Sequence, residues 1–145
     1  ESEVRPMGRY TMGVKGADLR DQDEIVSMTL VDKNDMLLTL TENGYGKRCP
    51  VRKYRKTRRG AKGVITMNVN ERTGKVRCAR VVEEGEEILL MSKNGMVIRT
   101  PVDEISVQGR NTMGVRTMKL KQDDSLIGMS KIISEEEEKE IIEDD

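Results

Sequence analysis

Short stretches of apolar and β-branched residues, separated by polar or glycine-containing segments, recur along the chain. They occupy residues 27–31, 36–41, 75–82, 88–92, 96–100 and 128–133. None is long enough for a typical helix, and most are rich in Val, Ile, Leu, Met and Thr, which is typical of strands. The pattern therefore predicts an all-β protein.

Two Asn-Gly pairs each lie between two of these stretches. Asn43-Gly44 follows the stretch at 36–41, and Asn94-Gly95 separates those at 88–92 and 96–100. Asn-Gly favours a type I′ turn, whose two central residues both have positive φ. Each pair is therefore predicted to close a tight antiparallel hairpin.

The hairpins belong to a repeat of about fifty residues. Residues 42–51 (ENGYGKRCPV) match residues 93–102 (KNGMVIRTPV) at an offset of 51. A second motif occurs three times, at residues 8–14 (GRYTMGV), 58–64 (RRGAKGV) and 109–115 (GRNTMGV), at offsets of 50 and 51. Antiparallel units of this length are typical of propeller-like arrays.

We therefore predict one domain over residues 1–134, built from three repeats. Their approximate bounds are 5–54, 55–105 and 106–134. The expected architecture is a propeller-like array of about three four-stranded antiparallel blades, two complete and one partial, forming a partial ring. A length of 145 residues and a mass of 16.4 kDa suit one domain with a modest core. Phe and Trp are absent, so aliphatic residues and the ten Met are expected to fill that core.

Composition excludes several kinds of active site. The chain has no His, which removes the usual general base and the commonest metal ligand. Cys49 and Cys78 lie far apart in sequence without a CxxC pair, so neither a zinc ribbon nor a disulfide framework is predicted. We expect no catalytic residue, no metal site and a reducing compartment.

Neither a membrane span nor a signal peptide is evident. No apolar run approaches the roughly 18 residues that a span needs, and the N-terminus lacks the features of a signal peptide. The sequence predicts a soluble cytoplasmic chain with no membrane partner. Because it begins with Glu, we expect it to be a piece of a longer protein.

The net charge of zero conceals an asymmetric distribution. The chain has 26 bases and 26 acids, and residues 135–145 (EEEEKEIIEDD) hold eight of the acids and one base. Residues 1–134 therefore carry 25 bases against 18 acids, a net +7. The acidic tail is predicted to be disordered. It acts either as a solubilising end or as a tethered competitor for the basic surface.

The strongest chemical signal is a basic run at residues 47–62 (KRCPVRKYRKTRRGAK), with nine bases and no acid. Such a run suits a phosphate backbone, which it binds without reading sequence. The alternative is that the bases protect a strand edge from aggregation, although that needs only one or two charges. Tyr54 lies within the run, and ordinary packing is favoured over stacking on single-stranded bases.

The run ends in the middle copy of the glycine-containing motif, and the two other copies retain an arginine followed by a further base. Small residues let backbone N–H groups approach phosphate oxygens while neighbouring bases hold them. Successive repeats are thus expected to present a curved line of positive charge to a bent duplex. The predicted DNA-contacting residues are Arg9, Lys15, Lys47, Arg48, Arg52, Lys53, Arg55, Lys56, Arg58, Arg59, Gly60, Lys62, Gly63, Arg99, Arg110 and Arg116.

Over nearly all of residues 1–134, the sequence resembles the C-terminal domain of DNA gyrase A. The resemblance rests on VRPMGRYTMGVKG, ENGYGKRCPV, KTRRGAKGVI, SKNGMVIRTPVDEI and VQGRNTMGV, followed by an acidic end. It implies a β-pinwheel whose blades exchange strands and whose basic perimeter wraps duplex DNA. The implied role is to support ATP-dependent negative supercoiling by a type IIA topoisomerase.

The same resemblance implies partners and limits. The partners would be duplex DNA, the rest of gyrase A, and gyrase B in an A2B2 complex, with the protein associated with the nucleoid. ATP and Mg²⁺ would belong to other domains of the parent enzyme, so no cofactor is expected in this chain. The family's DNA-cleaving tyrosine also lies in another domain, and none of the three tyrosines here matches its context.

One departure from the family pattern affects the alignment. The hallmark heptad QRRGGKG is represented here by residues 57–63 (TRRGAKG), with Thr57 and Ala61 as the differences. Its place in the middle repeat aligns the chain with the C-terminal half of the domain. Two alternative functions stay open: the corresponding domain of the topoisomerase IV protein that is homologous to gyrase A, which would control DNA geometry, and a propeller-type adaptor for protein partners.

Overall fold

The computed structural model describes residues 4–132, and the predicted tail at 135–145 lies outside that range. The all-β fold class is confirmed, since the described residues contain strands and only two single-turn 3₁₀ helices, at Val51–Lys53 and Val102–Glu104. The strands are β1 (Met36–Thr41), β2 (Tyr45–Pro50), β3 (Val76–Val82), β4 (Glu87–Ser92), β5 (Val97–Pro101), β6 (Val115–Arg116) and β7 (Leu126–Lys131). Five of the six predicted strands are present, with bounds that differ by no more than two residues.

The strands form two antiparallel sheets that combine residues distant in sequence. The first sheet has the order β3-β1-β2-β6 and the second has the order β5-β4-β7. Within residues 4–132 there is thus one four-stranded and one three-stranded sheet, where the repeat predicts about three four-stranded blades. Because β6 and β7 complete sheets begun by earlier hairpins, successive repeats are linked by exchanged strands.

The repeat is visible in the details of the two sheets. Adding 51 to the bounds of β1 gives those of β4, and the same shift relates the two 3₁₀ turns. The pairing irregularity between Leu40 and Thr41, on β1 against β3, recurs between Met91 and Ser92 on β4 against β7. The two hairpins therefore share both their bounds and the irregularity in their pairing with a third strand.

Both predicted hairpins are present, but the predicted type I′ turn is wrong. Gly44 and Gly95 have positive φ, at 78° and 86°, whereas neither Asn43 nor Asn94 does. The N–H of Gly44 donates to the carbonyl of Thr41 at 3.0 Å. This is a type I turn followed by a left-handed glycine, the geometry of a three-residue hairpin loop.

An aliphatic cluster connects the two sheets. Its buried members are Leu38, Leu40, Val82, Ile88, Leu90, Val102, Ile105, Met118 and Leu126. The prediction that methionines fill the core holds for Met67 and Met118, which are 3% and 2% exposed, and fails for Met12 and Met28, which are fully exposed.

The strand predicted at residues 27–31 does not form. The segment has no regular structure, and its Met28 and Leu30 side chains are each 95% exposed. In the repeat, residues 27–31 correspond to β3. That strand pairs with β1, which begins at Met36, 40 residues before β3. Among the described residues no strand pairs with this segment, although the hydroxyl of Ser27 donates to the carbonyl of Ala79.

Candidate nucleic-acid interface

Seven of the nine bases of the basic run are exposed. They are Arg52, Lys53, Arg55, Lys56, Arg58, Arg59 and Lys62, and they follow β2 through the first 3₁₀ turn and an irregular segment. None of them belongs to any ion pair found within residues 4–132. Their charges therefore face solvent, and no carboxylate of the described residues neutralises them.

The predicted DNA contact at Lys47 must be corrected, because this side chain is fully buried in β2. Its ammonium donates to the carbonyls of Gly109 (2.6 Å), Arg110 and Thr112 (3.1 Å), and to the Thr112 hydroxyl (2.9 Å). Burial lowers the pKa of this ammonium. Lys47 thus holds the loop at 109–112 in place and is not available to a phosphate.

Arg48 also needs correction, because it is 8% exposed. Its Nε donates to the carbonyl of Ile105 at 2.7 Å, and its Nη1 pairs with the Asp103 carboxylate at 3.1 Å. The second carboxylate oxygen of Asp103 accepts from the N–H of Gly85. Arg48 therefore ties β2 to the second sheet.

The structure brings the basic run together with the third copy of the glycine-containing motif. We define the basic groove as the depression of about 490 Å³ lined by Lys53, Arg55, Gly63, Val64, Ile65, Arg110 and Asn111. Residues about fifty positions apart, such as Arg55 and Arg110, thus face one surface. Three bases line the groove and no acid does, so it suits an anion.

Arg110 is fixed in the groove by two neighbours. Its Nη1 donates to the carbonyl of Ile65 at 2.9 Å, and its guanidinium lies 5.9 Å from the centre of the Tyr54 ring. Tyr54 shares a 2.7 Å hydrogen bond with Thr66, and burial raises the pKa of its phenol to about 12. Because one face of the ring is covered by Arg110, the structure supports packing as the role of Tyr54.

The three copies of the motif share a backbone feature. Gly13, Gly63 and Gly114 all have positive φ, at 75°, 79° and 74°. The middle copy lies against the first repeat, where the N–H of Gly60 donates to the carbonyl of Gly16 at 2.7 Å. The third copy instead lies against β2, through Lys47 and the pairing of β6.

Replacing Gly114 by Ala is expected to destabilise the protein more than replacing Gly63 by Ala. A left-handed conformation costs a non-glycine residue about 1–2 kcal/mol at either position. A Cβ at position 114 would also lie 2.4 Å from the carbonyl oxygen of Gly46, whereas one at position 63 would meet nothing within 4 Å. We expect this collision to add about 2 kcal/mol. Urea unfolding of both variants tests this, and equal losses would contradict the packing described.

The remaining predicted contacts have different surroundings. Arg9 is exposed, and the Lys15 ammonium contacts the Asp18 carboxylate beside the middle copy of the motif. Arg99 pairs with Glu87 and lies among the acidic residues 83–87, so its surroundings do not attract a phosphate. Arg116 lies on β6, where it faces Tyr45 and not the basic groove.

Sequence reasoning missed a second basic site, at the turn end of the first hairpin. We define the Tyr45 pocket as the depression of about 280 Å³ lined by Asn43, Tyr45, Arg72, Arg116, Lys119, Leu120, Lys121, Gln122 and Asp124. Only Arg116 is among the predicted DNA contacts. The spacing of bases at 116, 119 and 121 was a usable signal, whereas nothing local connects Arg72, which is followed by Lys75 and Arg77, with that segment.

Both cysteines are free thiols, and Cys49 is fully buried. Burial raises the pKa of the Cys78 thiol from its usual 9.0 to about 11, which lowers its thiolate population about a hundredfold at pH 8. We therefore expect iodoacetamide to alkylate the folded protein about a hundredfold more slowly than the protein in urea. Mass spectrometry over time measures both rates, and equal rates would contradict the burial.

The same thiol predicts a pH dependence of stability. The pKa of Cys78 is higher in the folded than in the unfolded chain, so the folded chain retains this proton to higher pH. The contribution is complete below about pH 9 and is lost as the pH rises to about 11. Cys78→Ser is expected to flatten the fall in the free energy of unfolding over that interval, which urea titrations at successive pH values measure.

Within residues 4–132, no helix is long and apolar enough to cross a membrane, and no three His, Cys, Asp or Glu side chains converge as metal ligands would.

Repeated antiparallel hairpins completed by strands from later repeats define a protein of the β-propeller class. Within that class, the chain belongs to the family described as "DNA gyrase C-terminal domain, beta-propeller", which matches residues 1–32, 35–83 and 86–132. The second and third matched segments begin 51 residues apart, as the repeat does.

Individual proteins support the same assignment. The chain is 45% identical over 132 residues to the DNA gyrase A protein of Pseudomonas aeruginosa, a match that covers 91% of this chain and 14% of that protein. A solved DNA gyrase A C-terminal domain superposes with a TM-score of 0.82 at 38% identity, over 90% of this chain and 45% of the solved chain. This chain therefore spans about a seventh of the Pseudomonas protein and under half of the solved domain.

A topoisomerase IV structure shares the fold. The crystal structure of a C-terminal domain of DNA topoisomerase IV superposes with a TM-score of 0.86 over 99% of this chain and 45% of that chain. The sequence identity is 21%, so this likeness concerns the fold alone.

Proposed function

We propose that this chain binds the backbone of duplex DNA without reading its sequence and bends the duplex along its basic surface. The observation that carries the proposal is the basic groove, where Lys53 and Arg55 of the basic run meet Arg110 of a later repeat. Ammonium and guanidinium groups without protein counterions gain free energy by displacing the cations condensed on DNA.

The groove lacks the features of a base-reading site. Within residues 4–132, no aromatic side chain lines it, and one face of the Tyr54 ring beside it is covered by Arg110. Gly63 and Val64 offer backbone and small side chains, which suit close approach to phosphates. We therefore expect contacts with phosphate and sugar to dominate.

Bending follows from the arrangement of repeats. The bases of successive repeats lie on separate loops, which we expect to follow the curved edge of a propeller, so that a stiff duplex curves to meet them. Bending a site of 20–30 base pairs costs on the order of 1–6 kcal/mol, which several phosphate contacts offset.

Within a whole protein, we infer that the chain forms part of the C-terminal domain of gyrase A. It would act with the rest of gyrase A and with gyrase B in the A2B2 complex, on the nucleoid in the cytoplasm, to support ATP-dependent negative supercoiling. Its own role would be geometric, while ATP, Mg²⁺ and the DNA-cleaving tyrosine act in other domains. The 45% identity to a gyrase A protein favours this role over that of topoisomerase IV.

The test uses two unrelated duplexes of forty base pairs that carry a donor and an acceptor dye about twenty base pairs apart, on either side of the expected bend. Similar affinities for both duplexes, with energy transfer rising on binding, are the expected results. Affinities that differ more than tenfold would show sequence reading, and unchanged energy transfer would show binding without bending. Binding to neither duplex at low salt would favour the adaptor alternative.

A further inference from the structure

Two arginines converge on one buried phenol beside the first hairpin. Tyr45 is 5% exposed, and its Oη accepts hydrogen bonds from Arg72 Nε at 2.7 Å and Arg116 Nη2 at 3.1 Å. The two guanidinium carbons also lie 5.5 and 5.6 Å from the centre of the ring. The hydrogen bond from Arg116, and after it the one from Arg72, hold the pKa of Tyr45 below its usual value.

The positive charges of this pocket outnumber its negative charges. Neither arginine belongs to any ion pair found within residues 4–132, and the exposed Lys119 and Lys121 add two further charges. Placing four bases around one depression is electrostatically costly unless an anion is present.

The one acid that lines the pocket is committed elsewhere. The carboxylate of Asp124 accepts from the Ser92 hydroxyl at 2.6 Å and from the Asn94 N–H at 3.0 Å. The Ser92 hydrogen bond is the main reason why the pKa of Asp124 is lowered. Asp124 therefore stabilises the second hairpin and also interacts with Lys121, so one carboxylate faces four bases in this pocket.

The Tyr45 phenol also has a proton to donate. Its oxygen accepts two hydrogen bonds, and no acceptor for its O–H is found within the described part of the chain. Each arginine retains further N–H groups beyond the one directed at the phenol. A tetrahedral oxyanion would accept from all three side chains.

We propose that the Tyr45 pocket binds a backbone phosphate of the same duplex that lies in the basic groove. This inference rests on the proposed function and adds a separate contact to it. The two sites are close along the chain, because Arg110 in the groove and Arg116 in the pocket are six residues apart, at most about 20 Å. A duplex advances about 3.4 Å for each phosphate of one strand, so one bound duplex reaches both.

The test follows the ¹³Cζ resonance of Tyr45, one of three tyrosines in the chain, during titration with a forty-base-pair duplex or with inorganic phosphate at constant ionic strength. The duplex is expected to shift this resonance in the wild-type protein and not in Arg72→Gln/Arg116→Gln. If inorganic phosphate shifts the resonance of the wild-type protein and the duplex does not, the pocket is an anion site that DNA does not use, and the proposal is overturned.

Affinity measurements provide the second readout, with variants that leave the buried phenol intact. Lys119→Gln/Lys121→Gln is expected to lower duplex affinity about sixty-fold at 0.1 M salt and to reduce the salt slope by about 2. The control is Lys33→Gln/Arg80→Gln, which removes two exposed bases outside both basic sites and should change affinity less than twofold. Equal losses in both variants would overturn the pocket as a specific contact.

Failure of the pocket is distinguishable from failure of the proposed function. If wild-type protein binds duplex while the Tyr45 resonance stays fixed, the pocket lies off the DNA path and only the inference falls. If the wild-type protein binds no duplex, both fall.

Discussion

Reversing the charges of Arg58 and Arg59 to glutamate is expected to lower duplex affinity about a hundredfold at 0.1 M salt. Each lost phosphate contact removes about one counterion-release step, which is worth a factor of about eight at that salt concentration. Two contacts give about sixty-fold, and the introduced repulsion adds to it. Both arginines are exposed and outside every ion pair found in residues 4–132, so the fold should survive the change.

The control for this variant is a reversal of two exposed bases outside the basic surface. Lys33→Glu/Arg80→Glu is a suitable control. Lys121 and Lys131 are not, because Lys121 lies in the Tyr45 pocket and Lys131 pairs with Glu86 at 2.8 Å. Fluorescence anisotropy with a labelled duplex measures both affinities. Equal losses in the two variants would show that diffuse charge, and not the middle motif, determines binding.

Replacing Lys47 by Met is expected to lower the free energy of unfolding by about 3 kcal/mol. Methionine fills a similar space, but it leaves three carbonyls and one hydroxyl of the 109–112 loop without their shared donor. An unsatisfied buried polar group costs about 1–3 kcal/mol, and the loop can relax enough to hydrate some of them. Urea unfolding followed by circular dichroism measures the loss.

Thr112→Val provides a milder test of the same contact. It removes the hydroxyl that accepts from Lys47 and donates to the Gly109 carbonyl, and leaves the ammonium its other partners. We expect a loss of about 1 kcal/mol. If Lys47→Met weakened DNA binding but left stability unchanged, Lys47 would be a DNA contact and not the support of the loop.

The hairpins and their repeat were predictable because their signals are local. An apolar stretch, a glycine able to take positive φ and a second stretch specify a hairpin whatever surrounds it, and the offset of 51 predicts that β4 resembles β1. The turn type was not predictable from Asn-Gly alone. A single glycine at position 44 or 95 satisfies both the type I′ turn and the longer loop that forms.

The errors at the site arise from contacts between distant residues. Lys47 and Arg48 read as part of an exposed basic run, yet both are buried by a segment about sixty positions later. The alternation of buried and exposed residues that is usual along a strand could not identify them as buried, because every residue of β2 is buried. Arg99 is likewise neutralised across its hairpin by Glu87.

The Tyr45 pocket was missed for the same reason, because contacts between distant residues create it. Tyr45, Arg72 and Arg116 come from three distant segments, and no local pattern connects them. The exposed segment at 27–31 is predicted as a strand because its composition is that of a strand. Whether such a segment pairs depends on a partner strand that its own composition does not specify, and within the described residues it pairs with none.

The most direct test of the central claim is the salt dependence of duplex affinity. With a forty-base-pair duplex titrated between 50 and 200 mM salt, a logarithmic slope of about −5 is expected, which corresponds to five or six neutralised phosphates and about a thousandfold loss of affinity. The seven exposed bases of the basic run and Arg110 make eight, which is enough for that number of contacts. A slope near zero, or no binding at 50 mM salt, would contradict the account of the basic groove as a DNA-binding surface.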